Sequence, residues 1–271
     1  MSVNVEIISI GNELLIGKIQ NTNAYWLAQQ ITALGACVQR ETTIPDVISI
    51  IAECIREAAT RKPQFIITTG GLGPTFDDKT MQAAGVALGQ KVVVNPEAVE
   101  FVKTRIAEYF RSRGQPTEFE MNPPRLKMAM LPEHAEVIVN PIGSAPSIRA
   151  FIGESELYVL PGIPREMEAI FTETIAPRIV AATGSEVFAQ RSLFVEEIES
   201  KLAPLIDKVM ANNVGVYIKS HPMGSDGRPK VELHLTMTGT AEKKPAEAVA
   251  KAAKELSALI AAKGGLVLDG N

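Results

Sequence analysis

The chain opens on a short, mainly apolar run, Val5 to Ile10, that stops at Gly11. Such a run, without polar alternation, predicts a strand buried on both faces. From Asn23 onward Ala24, Leu27, Ala28, Ile31 and Leu34 recur at helical spacing, and Gly35 supplies a stop. Cys37 to Ile44 reads as extended, and Ile48, Ile51, Ala52, Ile55 and Ala59 share one helix face. Phe65 to Thr69 is a further buried strand, running straight into Gly70-Gly71-Leu72-Gly73-Pro74, with a helix over about Lys79 to Leu88. Strands alternating with helices, the strands apolar and non-alternating, predict an α/β fold with a three-layer, mostly parallel sheet.

Asn95-Pro96 opens another helix, with proline at its first position, that runs to about Arg113. A polar, proline-containing stretch follows through Pro124, then short strands at Val137–Val139, Ser147–Ile152 and Leu157–Leu160. The last two flank Gly153-Glu154-Ser155 and predict a hairpin. Pro161-Gly162-Ile163-Pro164 launches a helix carrying Met167, Ile170, Phe171 and Ile175. Near Ala181 the pattern changes to strand (Val187–Val195), helix (Ser200–Met210), two strands (Val214–Lys219, Lys230–Thr238), helix (Pro245–Ala262) and Leu266–Leu268. That order predicts a second, small α+β domain of split β-α-β type. The expected division is residues 1–180 and 181–271, in keeping with a length of 271 against about 150 residues per domain.

Charge supports the same boundary: residues 1–184 hold 20 acidic and 16 basic side chains, and the remainder 11 of each. The net charge of −4 therefore lies wholly in the first part. Aromatic content of 5% and the absence of a basic field argue against a nucleic-acid binder. Apolar stretches are far short of a membrane span, and no basic leader precedes the first strand, so a soluble cytoplasmic protein is expected. Two cysteines, Cys37 and Cys54, cannot build a disulfide framework and read as small buried thiols. His134, His221 and His234 are isolated along the chain, none at metal-ligand spacing to another.

The strongest chemical signal is Thr68 to Thr80, with three glycines after a buried strand. Backbone amides of Gly70, Gly71, Leu72, Gly73, Pro74-Thr75 could approach a phosphate closely, and the next helix would offer its N-terminus. The run lacks the Gly-Lys-Ser/Thr ending of a P-loop and the spacing of a dinucleotide fingerprint. Asp77 and Asp78 are either first-turn helix acids or ligands for a Mg²⁺ bridged to phosphate oxygens. Gly11-Asn12-Glu13 follows the first strand, where polar groups converge on a ligand crevice; Glu13 is a site acid or a solvated loop residue. Asn21-Thr22-Asn23 reads as a helix N-cap cluster and Asp46 as a helix cap or site acid. Lys127 is a phosphate ligand or a snorkelling lysine in an ordered loop, Arg125 to Pro132, without regular hydrogen bonding. Gly224-Ser225-Asp226-Gly227 matches the GxxG loop of a KH module in form, but its aspartate favours a hairpin turn over an RNA clamp.

Together, Ile10-Gly11-Asn12-Glu13-Leu14-Leu15, Gly70–Thr80, Lys127-Met128-Ala129, Asn140-Pro141-Ile142-Gly143 and Pro161-Gly162-Ile163-Pro164-Arg165-Glu166-Met167 resemble the CinA family. More broadly they are similar to the molybdopterin-binding fold of MogA/MoeA-type proteins, over about residues 3–180. Gly70-Gly71-Leu72-Gly73 and Asp78 match that fold's glycine-and-aspartate pattern, and Asp46 its aspartate after the second strand. Leu72 stands where molybdopterin binders have threonine, and Ser147 where CinA proteins often have glycine.

The resemblance implies metal-dependent cleavage of the pyrophosphate of ADP-ribose or a related nucleotide diphosphate, giving AMP and a sugar phosphate. The alternative it carries is a non-hydrolytic molybdopterin-binding protein. On the hydrolase reading, the Gly70–Thr75 backbone, with Gly11, Asn12, Glu13, Asn140 and Gly143, binds substrate. Asp78, with Asp77 or Glu13, holds Mg, Mn or Co; Asp46 orients the attacking water and Lys127 neutralises developing charge. A homo-oligomer, dimer or trimer, is expected. The chain ends before the amidohydrolase domain that many CinA proteins carry, so nicotinamide-mononucleotide deamidation is expected to be absent.

Overall fold

The computed structural model describes residues 3–184, 186–223 and 229–268. Two compact units divide it, one of residues 1–32 with 36–182 and one of 33–35 with 183–271.

The first unit runs β1 (Asn4–Ile10), α1 (Asn12–Leu15), α2 (Thr22–Ala33), β2 (Cys37–Ile44), α3 (Ile48–Thr60), β3 (Phe65–Thr69), α4 (Thr80–Leu88), β4 (Val92–Val94) and α5 (Pro96–Ser112). It continues through α6 (Pro123–Lys127), β5 (Met130–Pro132), β6 (Glu136–Ile138), β7 (Ser147–Ile152), β8 (Ser155–Leu160) and α7 (Pro164–Ile170). A π-helical turn, Phe171–Ile175, joins α7 to α8 (Ala176–Thr183). Six strands form one sheet in the order β2-β1-β3-β8-β7-β6. The first four are mutually parallel, and β7 runs antiparallel between β8 and β6.

The central strands β1, β3 and β8 are covered on both faces, which is why they are apolar rather than alternating, whereas edge strand β2 is largely polar and exposed. Ile8, Ile10 and Ile66 pack with Ile51 and Ile55 of α3, Ala83 of α4 and Val102 of α5. Val5, Ile7 and Ile67 point the other way and are buried too, as are Leu27 and Ile31 of α2; there Trp26 meets Phe171 edge-on at 5.5 Å. Glu6 is the exception inside β1: it is 2% exposed, and Arg61 pairs with both its oxygens at 2.7 and 2.8 Å.

The stretch from Arg125 to Pro132, expected as an irregular loop, is instead helix α6 followed by β5, which pairs antiparallel with β4. Asn122 caps α6 by accepting from Arg125 N at 3.1 Å, and two prolines pre-set its first turn. Prolines and basic residues interspersed with the apolar ones mask both short segments in the sequence. The cysteine reading also fails: Cys37 is exposed at the start of β2, and Cys54 is half-buried.

The second unit comprises β9 (Glu186–Glu196), α9 (Glu199–Asn212), β10 (Tyr217–Met223), β11 (Lys230–Thr240), α10 (Pro245–Ala262) and β12 (Leu266–Leu268). Its sheet order is β10-β11-β9-β12 with every pair antiparallel. β9 and β10 therefore run parallel with β11 between them, the split β-α-β arrangement. Val195, Leu233 and Leu235 meet Leu202, Ile206 and Val209 of α9 and Leu256 and Ile260 of α10. Here the fold joins two histidines that are far apart in sequence, His221 and His234, with ring centroids 6.3 Å apart. Gly224-Ser225-Asp226-Gly227 lies outside the described residues. Among the described residues no helix is long and apolar enough to cross a membrane.

Candidate functional site

Parallel pairing brings the carboxyl ends of β1, β3 and β8 side by side: Ser9 is in register with Thr69, and Thr69 with Leu160. The three loops that follow, at Gly11, Gly70 and Pro161, meet there, the usual place for a ligand in such a sheet. Gly11 N donates to Ile44 O at 3.1 Å and Gly70 N to Leu160 O at 3.0 Å, so each loop is pinned to a neighbouring strand end.

Glycine is required at two of these positions. Gly70 has φ 105°, and a Cβ there would collide with the Ile10 carbonyl oxygen; Gly71 has φ 71°, and a Cβ would collide with Thr80 Oγ1. Thr80, fully buried at the start of α4, donates that hydroxyl to Gly70 O at 2.7 Å. The loop beyond is closed by Asp78, whose Oδ2 accepts from Thr75 N at 2.8 Å and lies 2.6 Å from the Thr75 hydroxyl. The Thr75 hydroxyl also touches Asp77 Oδ1. This hydrogen bond, the Asp77 amide, and the nearby Lys127 and Lys79 ammonium groups hold the Asp77 carboxyl below its usual range. Neither aspartate caps α4, whose N-cap position is Lys79. They brace a turn instead.

A crevice of about 410 Å³ opens above these strand ends. Glu13, Asp46, Gly70, Gly71, Leu72, Gly73, Pro74, Asp77 and Asp78 all line it. Of the acids, Asp46 is held by its Oδ2, which accepts from Asn12 N at 2.8 Å; it does not cap α3, whose N-cap is Val47. The Glu13 carboxylate folds back over Gly11, where a Cβ would stand 2.5 Å from its Oε1. The remaining predicted residues stand around the crevice rather than in its wall. Gly11 and Asn12 frame the Glu13 turn, and Thr75 braces the two aspartates.

Lys127 reaches the loop from α6 and donates to Thr75 O, on a side of the loop where Gly71, Gly73 and Asp78 border a small separate cavity. Asn140 is fully buried and works within its own loop: its Oδ1 accepts from Ile142 N at 3.1 Å and Gly143 N at 2.8 Å. Its Nδ2 donates to Glu166 Oε2 at 2.7 Å. Glu166 lines the crevice and was legible in the sequence only as part of a motif, because its partner Asn140 lies 26 residues away. The predicted N-cap cluster behaves as such, with Asn21 Oδ1 accepting from Ala24 N at 3.2 Å.

Among the described residues, no three His, Cys, Asp or Glu side chains converge as a ready-made metal site. The donors here are hard carboxylate oxygens beside a glycine-rich loop. They fit a Mg²⁺-like ion held by one or two carboxylates and completed by ligand phosphate and water. They do not fit a metal caged by protein alone.

Glycine amides and carboxylates at the ends of parallel strands define a class of α/β small-ligand site. Residues 6–181 match the family described as the probable molybdopterin binding domain, and the chain belongs to it. A solved structure of the protein CinA, of unknown function, from Thermoplasma acidophilum superposes with a TM-score of 0.58 at 32% identity. The match covers 65% of this chain and 99% of that one. A protein from Pyrobaculum calidifontis is 42% identical over 259 residues, 95% of either chain. One from Aeropyrum pernix is 39% identical over 97% of this chain and 96% of its own length. These two relatives span both units.

Proposed function

We propose that the crevice at the ends of β1, β3 and β8 binds the phosphate of a molybdopterin-type pterin. The observation that carries this is the Gly70–Gly73 backbone lining the crevice, with two glycines in conformations and spaces that no side chain could share. With the Gly70 amide given to Leu160 O and the Thr75 amide to Asp78, the amides of Gly71, Leu72 and Gly73 would form the anion cradle. Membership of the probable molybdopterin binding family supports the pterin as its bearer. The test is calorimetric titration with inorganic pyrophosphate and with a phosphorylated pterin. Wild type binds both, and Gly73→Ala, whose Cβ would stand 2.7 Å from Asp78 Oδ2, binds both at least several-fold more weakly. Undiminished binding by that variant would remove the assignment.

A second proposal is metal-dependent cleavage of an ADP-ribose-type diphosphate at the same place. Glu13, Asp46, Asp77 and Asp78 along one crevice support it. Asp78, with Asp77 or Glu13, would hold the ion, which supplies charge neutralisation on the phosphates and a more acidic water. Asp46, anchored through one oxygen, keeps the other for orienting water. Lys127 acts by holding the Thr75 carbonyl, and so the loop, rather than by meeting the substrate. AMP release from ADP-ribose, FAD or NAD with Mg²⁺, Mn²⁺ or Co²⁺, abolished in Asp78→Ala, is the expected result. No turnover on any of them leaves the binding function alone.

A further inference from the structure

Beside the crevice lies a second cavity of about 500 Å³, and Ser144 and Glu166 line both. Its walls are Ile106 and Tyr109 of α5 and Ile142 of the loop opposite. Tyr109 and Ile142 are each 52% exposed, so this wall offers aromatic and aliphatic surface to whatever enters the cavity. The Arg113 guanidinium stands 4.7 Å from the Tyr109 ring centroid and stiffens that wall.

The polar groups are sharply divided. Arg105 spends four of its five N–H donors on the wall itself: it donates to Gly143 O at 2.9 Å, to Pro141 O at 3.1 Å, to Ile142 O and to Glu108 at 2.8 Å. It fixes the loop. Glu166 is different. Buried Asn140 holds its Oε2 at 2.7 Å, and among the described residues its Oε1 has no hydrogen-bond partner. A carboxylate can only accept, so the junction of the two cavities presents a pre-aimed pair of acceptors beside an aromatic wall.

We propose that this second cavity takes the heterocycle of the ligand, and that Glu166 reads an edge bearing two adjacent N–H donors. A 2-amino-4-oxo ring, as in a pterin or a guanine, presents such an edge. Adenine presents a donor beside an acceptor, and that acceptor would face the carboxylate lone pairs, a mismatch that disfavours it. The inference rests on the reading of the crevice as the phosphate site, and extends it to the other end of the same ligand.

The test uses 6-hydroxymethylpterin, which lacks phosphate, and follows its fluorescence with the full chain. Adenosine serves as competitor, and pyrophosphate is titrated separately. Wild type binds the pterin, and adenosine at equal concentration does not displace it. Glu166→Gln keeps the acceptor for Asn140 but can turn an amide N–H outward. It weakens pterin binding by about 10- to 100-fold and shifts the preference towards adenosine. Tyr109→Ala weakens both rings without altering their ratio. Equal displacement by adenosine in wild type overturns the proposal, and needs no variant to fold. So does unchanged pterin binding in Glu166→Gln, or pyrophosphate binding without pterin binding. Pterin binding that responds to Glu166→Gln, with no pyrophosphate binding, supports the second cavity and overturns the phosphate reading alone.

Discussion

Asp46 and Asn12 tie together the ends of two neighbouring strands: Asp46 Oδ2, just after β2, accepts the Asn12 amide N–H, just after β1, at 2.8 Å. One carboxylate oxygen is thereby committed to the loop that aims Glu13. Replacing Asp46 by Ala frees that amide and costs about 1–2 kcal/mol, since the lost bond is to a charged acceptor. Asp46→Asn retains an acceptor and stays close to wild type. Thermal melts and amide exchange at Asn12 check both, and equal melts for the two variants would refute the tether.

Gly70→Ala and Gly89→Ala form a matched pair. Both glycines have positive φ, 105° and 67°, but a Cβ at Gly70 meets the Ile10 carbonyl whereas at Gly89 it meets nothing within 4 Å. Gly89→Ala is expected to cost about 1 kcal/mol, the backbone strain alone, and Gly70→Ala about 3 kcal/mol or more. Urea unfolding of the two variants measures the difference.

Arg61→Met leaves the Glu6 carboxylate buried without its partner. The expected loss is about 3–5 kcal/mol, and Glu6→Gln added to Arg61→Met recovers part of it by removing the charge. A single variant as stable as wild type would show that the pair contributes nothing.

Glu156 is one of the carboxylates that tie stability to pH. Burial opposes its ionisation, but hydrogen bonds from Arg149 at 2.7 Å and from the Tyr158 hydroxyl at 2.6 Å outweigh it and hold its carboxyl below the usual 4.5. A carboxyl depressed in the folded state adds stability above its unfolded pKa and loses it as pH falls through the folded value. Glu156→Gln should therefore lower the melting temperature at neutral pH and flatten its fall below about pH 5. Melting curves from pH 2 to 8 test this.

Lys127→Met removes the tether on the Thr75 carbonyl while keeping the aliphatic stem. The expected outcome is pyrophosphate affinity reduced by about three- to tenfold with little change in melting temperature, an exposed hydrogen bond contributing about 1 kcal/mol. A loss as large as that of Gly73→Ala would instead place the ammonium on the ligand.

The buried strands β1 and β3, the helices with one apolar face, and the split order of the second unit were legible because each is a local, repeated pattern in the residues. The glycine run at Gly70 was legible for a related reason: only glycine reaches that backbone conformation, so the need is written in the residue itself. Helix α6 with β5 was not, since prolines and basic residues are interspersed with the apolar ones from Pro123 to Pro132 and mask both segments.

Residue roles were decided by tertiary structure. Asp46 and Asp78 are acids at strand and loop ends, and the sequence allowed each to cap a helix or to serve a site. Parallel pairing set Asp46 against Asn12, 34 residues away, and the turn set Asp78 against Thr75, so neither caps. Lys127 went to a carbonyl 52 residues distant, and Asn140 to Glu166. Hydrogen bonding is short-ranged and directional, so a polar side chain's task depends on which groups the fold brings within about 3 Å. Apolar burial is non-directional and proportional to area, so its pattern survives in the linear sequence. That is why the sequence alone determined the layers and the glycine loop, and why only the folded chain could place acids, lysine and asparagine around it.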